Sequence, residues 1–188
     1  MTRGKQGALS KSTGAGSWVA LLRGVNVGGK HRLPMKLLAG FFEEAGCLEV
    51  RTVGASGNVW FRAPAAVARA APGLVEALIY KECGFRSPVL LRSGEEVAAV
   101  LAGNPFKAEG EEEELLHVVF LAEAPAAGAG LEEARSPGDR AIVRGREVYL
   151  ALPRGVSGTK WTSAYVDRAL GTVGTWRNWR TVGKLGEG

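Results

Sequence analysis

Three clusters of polar and cationic residues in this chain fall where apolar runs end. Arg23, Asn26, Gly28, Gly29 and Lys30 follow WVALL at 18–22, Ser56 and Asn58 lie in the turn between two apolar runs, and Arg177 and Asn178 close a third. An arginine fork grips phosphate or carboxylate through two parallel N–H bonds, and a glycine-rich backbone can curl its own N–H groups into a nest for the same anion. Polar side chains have little packing reason to sit at strand ends. The pattern therefore predicts that the three loops converge on one anion-accepting surface. A competing reading exists at each position. Gly28 and Gly29 can serve a turn that needs positive φ, Ser56 and Asn58 can bond locally, Arg23 and Arg177 can each pair with a carboxylate, and Asn178 can cap a helix.

Other chemistry is sparse. The two histidines, His31 in the glycine-rich loop and His117 inside an apolar run, form no local triad with Ser or Cys. Cys47 and Cys83 read as small buried hydrophobes, and with only two histidines they make no zinc set, so no metal is expected. Gly24 and Gly29-Lys30 match G-x-x-x-x-G-K, but His31 stands where a phosphate loop needs Ser or Thr. The string Gly155-Val156-Ser157-Gly158-Thr159-Lys160 lacks a glycine before its lysine. No catalytic residue and no cofactor is assigned.

The elements that must position these residues follow from periodicity. Residues 1–17 are polar and glycine-rich and read as a disordered tail, without the apolar stretch of a secretory signal. Strand 18–24, a helix after Pro34, strands 48–54 and 58–62, helix 66–82 and strand 87–92 give the order β-α-β-β-α-β. Ser93 and Glu96 form a capping box for a helix through Leu101, and 103–114, with five glutamates, reads as a solvated linker. Strand 115–121, a weak helix at 131–135, hairpin 139–152, helix 159–170, strand 172–177 and a short helix capped by Asn178 repeat the order. The expectation is an α+β protein of two tandem ferredoxin-like (βαββαβ) subdomains from an internal duplication, with mainly antiparallel sheets. Its parts are the tail 1–17, subdomain 18–92, connection 93–114 and subdomain 115–188.

The net charge of +5 shrinks to +2 once Arg3, Lys5 and Lys11 of the tail are set aside, and no dense basic block remains. Nucleic acid is therefore not the favoured partner. No apolar run reaches the ~20 residues of a membrane crossing, and the cysteine usage fits the cytoplasm. The oligomeric state is open. The residues favour binding of a small anionic or phosphate-bearing ligand. A hydrolase or transferase acting on a nucleotide or phosphate ester, and a homo-oligomeric interaction protein, stay as alternatives.

LLRGVNVGG at 21–29, SGNVWF at 56–61, NPF at 104–106 and TWRNWRTVGKL at 175–185 stand in the same order as the motifs of the bacterial domain-of-unknown-function 1697 family, which this chain resembles from Trp18 to Leu185. The resemblance implies a duplicated α+β architecture of ferredoxin-like character and no assigned activity. Gly54-Ala55 and GVSGTKWT at 155–162 depart from the family pattern.

Overall fold

The computed structural model describes residues 14–187; most of the segment expected to be a disordered tail lies outside them. Gly16 and Ser17, read from the sequence as its end, instead begin the first strand, paired with Ala63 and Arg62. The first half runs β1 (Gly16–Leu22), α1 (Met35–Glu44), β2 (Leu48–Thr52), β3 (Asn58–Ala63), α2 (Ala65–Cys83) and β4 (Val89–Ser93). Its antiparallel sheet has the order β2-β3-β1-β4. The connection holds α3 (Gly94–Ala102) and α4 (Pro105–Ala108). The second half runs β5 (Leu116–Leu121), β6 (Arg140–Arg144), β7 (Glu147–Ala151), α5 (Gly155–Gly158), α6 (Ser163–Leu170), β8 (Gly174–Asn178) and α7 (Trp179–Leu185). Its antiparallel sheet, β6-β7-β5-β8, repeats the strand order of the first. The protein is thus a mixed α+β structure with two four-stranded antiparallel sheets.

The continuous apolar runs of β1 and β5 are explained by burial on both faces. In β1, Ala20 and Leu22 pack under α1 and α2 against Leu38, Phe42 and Ile79. Val19 and Leu21 face the other way, into a core shared with α3, α7 and the second sheet's Val118 and Phe120. Val119 and Leu121 of β5 point outward under α6 and Trp161. Alternate residues of each inner strand therefore serve different cores, and the shared core joins the halves.

Three expectations are corrected locally. Only a short 3-10 turn at Glu133–Arg135 stands where a weak helix was read, so β5 and β6 are joined without a helix comparable to α1. Helix α6 starts at Ser163 rather than 159, because the Thr162 hydroxyl accepts the Tyr165 N–H and defines the cap. Trp161 precedes the helix and is buried all the same. The acidic stretch is not a plain linker, since Asn104 caps α4 and Arg140 pairs with Glu109 and Glu111, while Glu112, Glu113 and Glu114 are exposed. The capping box of Ser93 and Glu96 forms as read. Among the described residues no helix is long and apolar enough to cross a membrane.

Candidate functional site

The end of β1 must meet the turn before β3 closely, and Gly57 makes that approach. At φ +70° it donates no side chain, and a Cβ there would lie 2.5 Å from Val25 and 2.7 Å from Leu22. Its carbonyl accepts the Leu22 N–H at 2.8 Å. Ser56 and Asn58 are thereby fixed on either side of the β1 terminus.

From the other half, β8 brings Arg177 against the same terminus. Its five N–H groups are all used. Nε donates to Asn58 Oδ1, Nη1 to Thr175 Oγ1 and the Trp176 carbonyl, and Nη2 to the carbonyls of Leu22 (2.8 Å) and Ser56 (3.2 Å). The reciprocal arrangement exists on β4. Arg92 Nη2 donates to the carbonyl of Leu121 (2.7 Å), the last residue of β5, its Nη1 to its own predecessor Leu91, and its Nε to Glu147 Oε1 at 2.8 Å. Asn58 pairs with Leu21 on β1 as Glu147 pairs with Phe120 on β5, so the two acceptors hold corresponding places. Each arginine thus stitches its half to the first strand of the other.

One difference separates the two clamps. Arg92, fully buried, has the Glu147 carboxylate as counterion; Arg177, only 7 % exposed, has the neutral Asn58 amide there. Among the described residues no carboxylate lies within ion-pair distance of Arg177. Burial pushes its pKa down to about 10, still leaving it charged at neutral pH.

Beside this uncompensated cation opens a cleft of about 290 Å³ whose wall includes Arg23, Val27, Ser56, Ser163, Thr175 and Arg177. Arg23 is held by one nitrogen only: Nη1 donates to Asp167 Oδ2 at 2.5 Å and to the Gly174 carbonyl at 3.1 Å. Among the described residues its Nε and Nη2 have no protein acceptor, and neither is sealed from solvent. That edge of a guanidinium is the one that takes an oxyanion in a bidentate grip. Asp167 is fixed in turn, since its Oδ1 accepts the Gly174 N–H at 3.0 Å. Ser163 puts the first turn of α6, and the positive end of its backbone dipoles, at the rim. Two arginines against one aspartate leave the cleft with one net positive charge.

The remaining residues singled out in the sequence have more local duties. Asn26, in the left-handed region at φ +56°, donates from Nδ2 to the carbonyls of Leu33 and Ala55 and accepts the Leu33 N–H, so its side chain is spent on shaping its loop. Gly28 and Gly29, both at positive φ and with open space around them, form the tip of a small hairpin in which Lys30 N–H bonds the Val27 carbonyl. Lys30 is exposed beside them. Asn58 is buried against Arg177, and Asn178 caps α7 through the Thr181 N–H. His31 stacks on Phe85 with ring centroids 4.6 Å apart and bonds the Gly24 carbonyl, anchoring the hairpin base. Arg23, Ser56 and Arg177 are therefore brought to one cleft, whereas Asn26 shapes the adjoining loop, Asn58 holds Arg177, and Asn178 caps α7. Asp167, Ser163 and Thr175 were not legible: an aspartate on an amphipathic helix reads as solvated surface, and a threonine in a strand as packing. Elsewhere, burial pushes the Cys47 thiol up to about 11, which leaves it a poor nucleophile.

Comparison with known proteins adds the following. A family model described as "Protein of unknown function (DUF1697)" matches residues 16–149. The solved structure of a conserved bacterial protein from Streptococcus pneumoniae is similar, with a TM-score of 0.68 and 20% identity over 92% of this chain and 98% of that one. At that identity the likeness concerns the fold alone. No curated protein matches.

Proposed function

We propose that this chain, which belongs to the DUF1697 family of proteins of unknown function, binds a small phosphate-bearing anion in the cleft between the β1 terminus and β8. One observation carries the reading: two corresponding arginine clamps differ in that Arg92 has a carboxylate and Arg177 has none, and the cleft lies beside the one without. A buried cation without a partner is costly, and an anion in the cleft offsets that cost. In this reading Arg23 contacts the anion through Nε and Nη2, Asp167 holds Arg23 in position, and Arg177 acts through its field because its hydrogens are already engaged. Lys30 and the glycines beside it add exposed cationic and N–H character near the rim.

The halves are read as tandem ferredoxin-like units from an internal duplication, about 18–92 and 115–188, joined by 93–114. Support comes from the shared strand order, the reciprocal arginines, and Ser93 and Asn178, each closing a last strand while capping the next helix. Two free cysteines fit a cytoplasmic home.

Asn58→Asp tests the carrying observation, since it gives Arg177 the carboxylate that Arg92 already has. Inorganic phosphate is expected to raise the melting temperature of the wild-type protein in a saturable way and to raise that of Asn58→Asp less, with the variant's far-UV spectrum unchanged. Equal stabilisation of both proteins, or none of the wild type, contradicts the proposal.

A further inference from the structure

The hairpin at the mouth of the cleft is built to hold one apolar side chain out in water. Gly24, Asn26, Gly28, Gly29 and His31 all take left-handed φ values, an arrangement that costs backbone strain at the two non-glycine positions. The base is firmly tied, by the Asn26 side chain to Leu33 and Ala55, by the Asn26 N–H to the His31 carbonyl and by the His31–Phe85 stack. Val25, two residues before Val27, is buried, whereas Val27 is 64 % exposed and yet lines the cleft. Val27 is the most exposed large hydrophobic residue among the described residues. The cleft lining also includes Trp176, whose indole Nε1 is buried without a hydrogen-bond partner among the described residues.

From these residues, and resting on the reading above, we infer that the ligand is a phosphate monoester with a compact apolar body: its phosphoryl group meets the free edge of Arg23 and its body is covered by Val27. The size agrees, because about 290 Å³ is at the lower end of ligand-pocket volumes and admits one compact molecule. The electrostatics agree as well. Arg23 and Arg177 against Asp167 give the cleft one net positive charge for the phosphoryl head, and Val27 gives an apolar wall for the body.

The test is isothermal titration at about pH 8, where each probe is a dianion, with inorganic phosphate, phenyl phosphate and glycerol phosphate against wild type and Val27→Ser. Phenyl phosphate is expected to bind wild type roughly fivefold more tightly than inorganic phosphate, the gain that covering most of an exposed valine gives, and glycerol phosphate no more tightly than inorganic phosphate. Val27→Ser, at an exposed position outside all three cores, should erase the phenyl phosphate gain and leave inorganic phosphate binding unchanged. If inorganic phosphate binds but phenyl phosphate gains nothing, or if its gain survives Val27→Ser, the apolar-body inference is wrong and the anion site stands. If inorganic phosphate does not bind, both fall.

Discussion

Replacing each clamp arginine by methionine should destabilise the protein unequally. Arg92→Met leaves the Glu147 carboxylate, 17 % exposed, facing the interior without its guanidinium. Breaking a buried ion pair from one side costs about 3–5 kcal/mol. Arg177→Met strands no charge. The Leu22 carbonyl keeps the Thr175 hydroxyl, and the chief loss is the Asn58 Oδ1 acceptor, 1 % exposed as a residue and left without its donor. One orphaned neutral acceptor costs about 1–3 kcal/mol, and the fold is at the same time relieved of a desolvated cation. For a chain of this length each kcal/mol shifts the melting temperature by about 2–4 °C. Arg92→Met is thus expected to melt about 12 °C below wild type and Arg177→Met about 6 °C below, in phosphate-free buffer. Urea titrations followed by circular dichroism give the free energies directly, and Glu147→Gln should recover part of the loss in the Arg92→Met background. Equal losses, or a larger one for Arg177→Met, would refute the counterion argument on which the candidate site depends.

Other outcomes follow from the same contacts. Gly57→Ala should cost about 3 kcal/mol, from a left-handed φ and a Cβ driven into Val25 and Leu22, and calorimetry should show the drop. Burial holds the His117 pKa below its ordinary 6.5, against a weaker opposing bond to the Leu115 carbonyl, so the unfolded chain takes up the proton first as pH falls below that value. Stability should therefore decline over that window, and His117→Phe should flatten the decline in urea titrations at about pH 7.5 and 5.5. For Glu96, burial raises the pKa but the Ser93 N–H and Arg146 outweigh it, leaving it below 4.5. Its contribution is present above that pH and lost as pH falls through its folded value, so Glu96→Gln should be destabilising near neutrality and nearly neutral in strong acid.

The sequence made the element order of the first half and most element positions readable because the inner strands are largely apolar runs and some helix starts carry side-chain caps. Ser93 with Glu96, and Asn178, were visible as caps since capping acts within three residues. What could not be read depends on pairing across the molecule. Asn58 and Arg177 were both picked out as ligand contacts from residue type and position, yet the fold spends them on each other, 119 residues apart in sequence. Arg92 looked like one more residue of a strand, and nothing local announces that it is fully buried beside Glu147. Asp167 was hidden for the same reason: its meaning lies in Arg23, on the other half of the chain. The convergence of Arg23, Ser56 and Arg177 was legible only as an argument about strand ends, since the aim of a side chain is set by tertiary packing.

The central claim is that a phosphate-bearing anion sits on the free edge of Arg23 next to the uncompensated Arg177. Side-chain NMR of the arginine Nε–H groups during titration with inorganic phosphate addresses it directly, because it reports each guanidinium separately. The account predicts a saturable shift of the Arg23 Nε–H with a Kd below about 1 mM, a smaller coupled shift at Arg177, and no change at Arg92, whose counterion is already in place. Shifts that are linear in phosphate and spread over the exposed arginines, or an Arg23 signal that does not move, would contradict it.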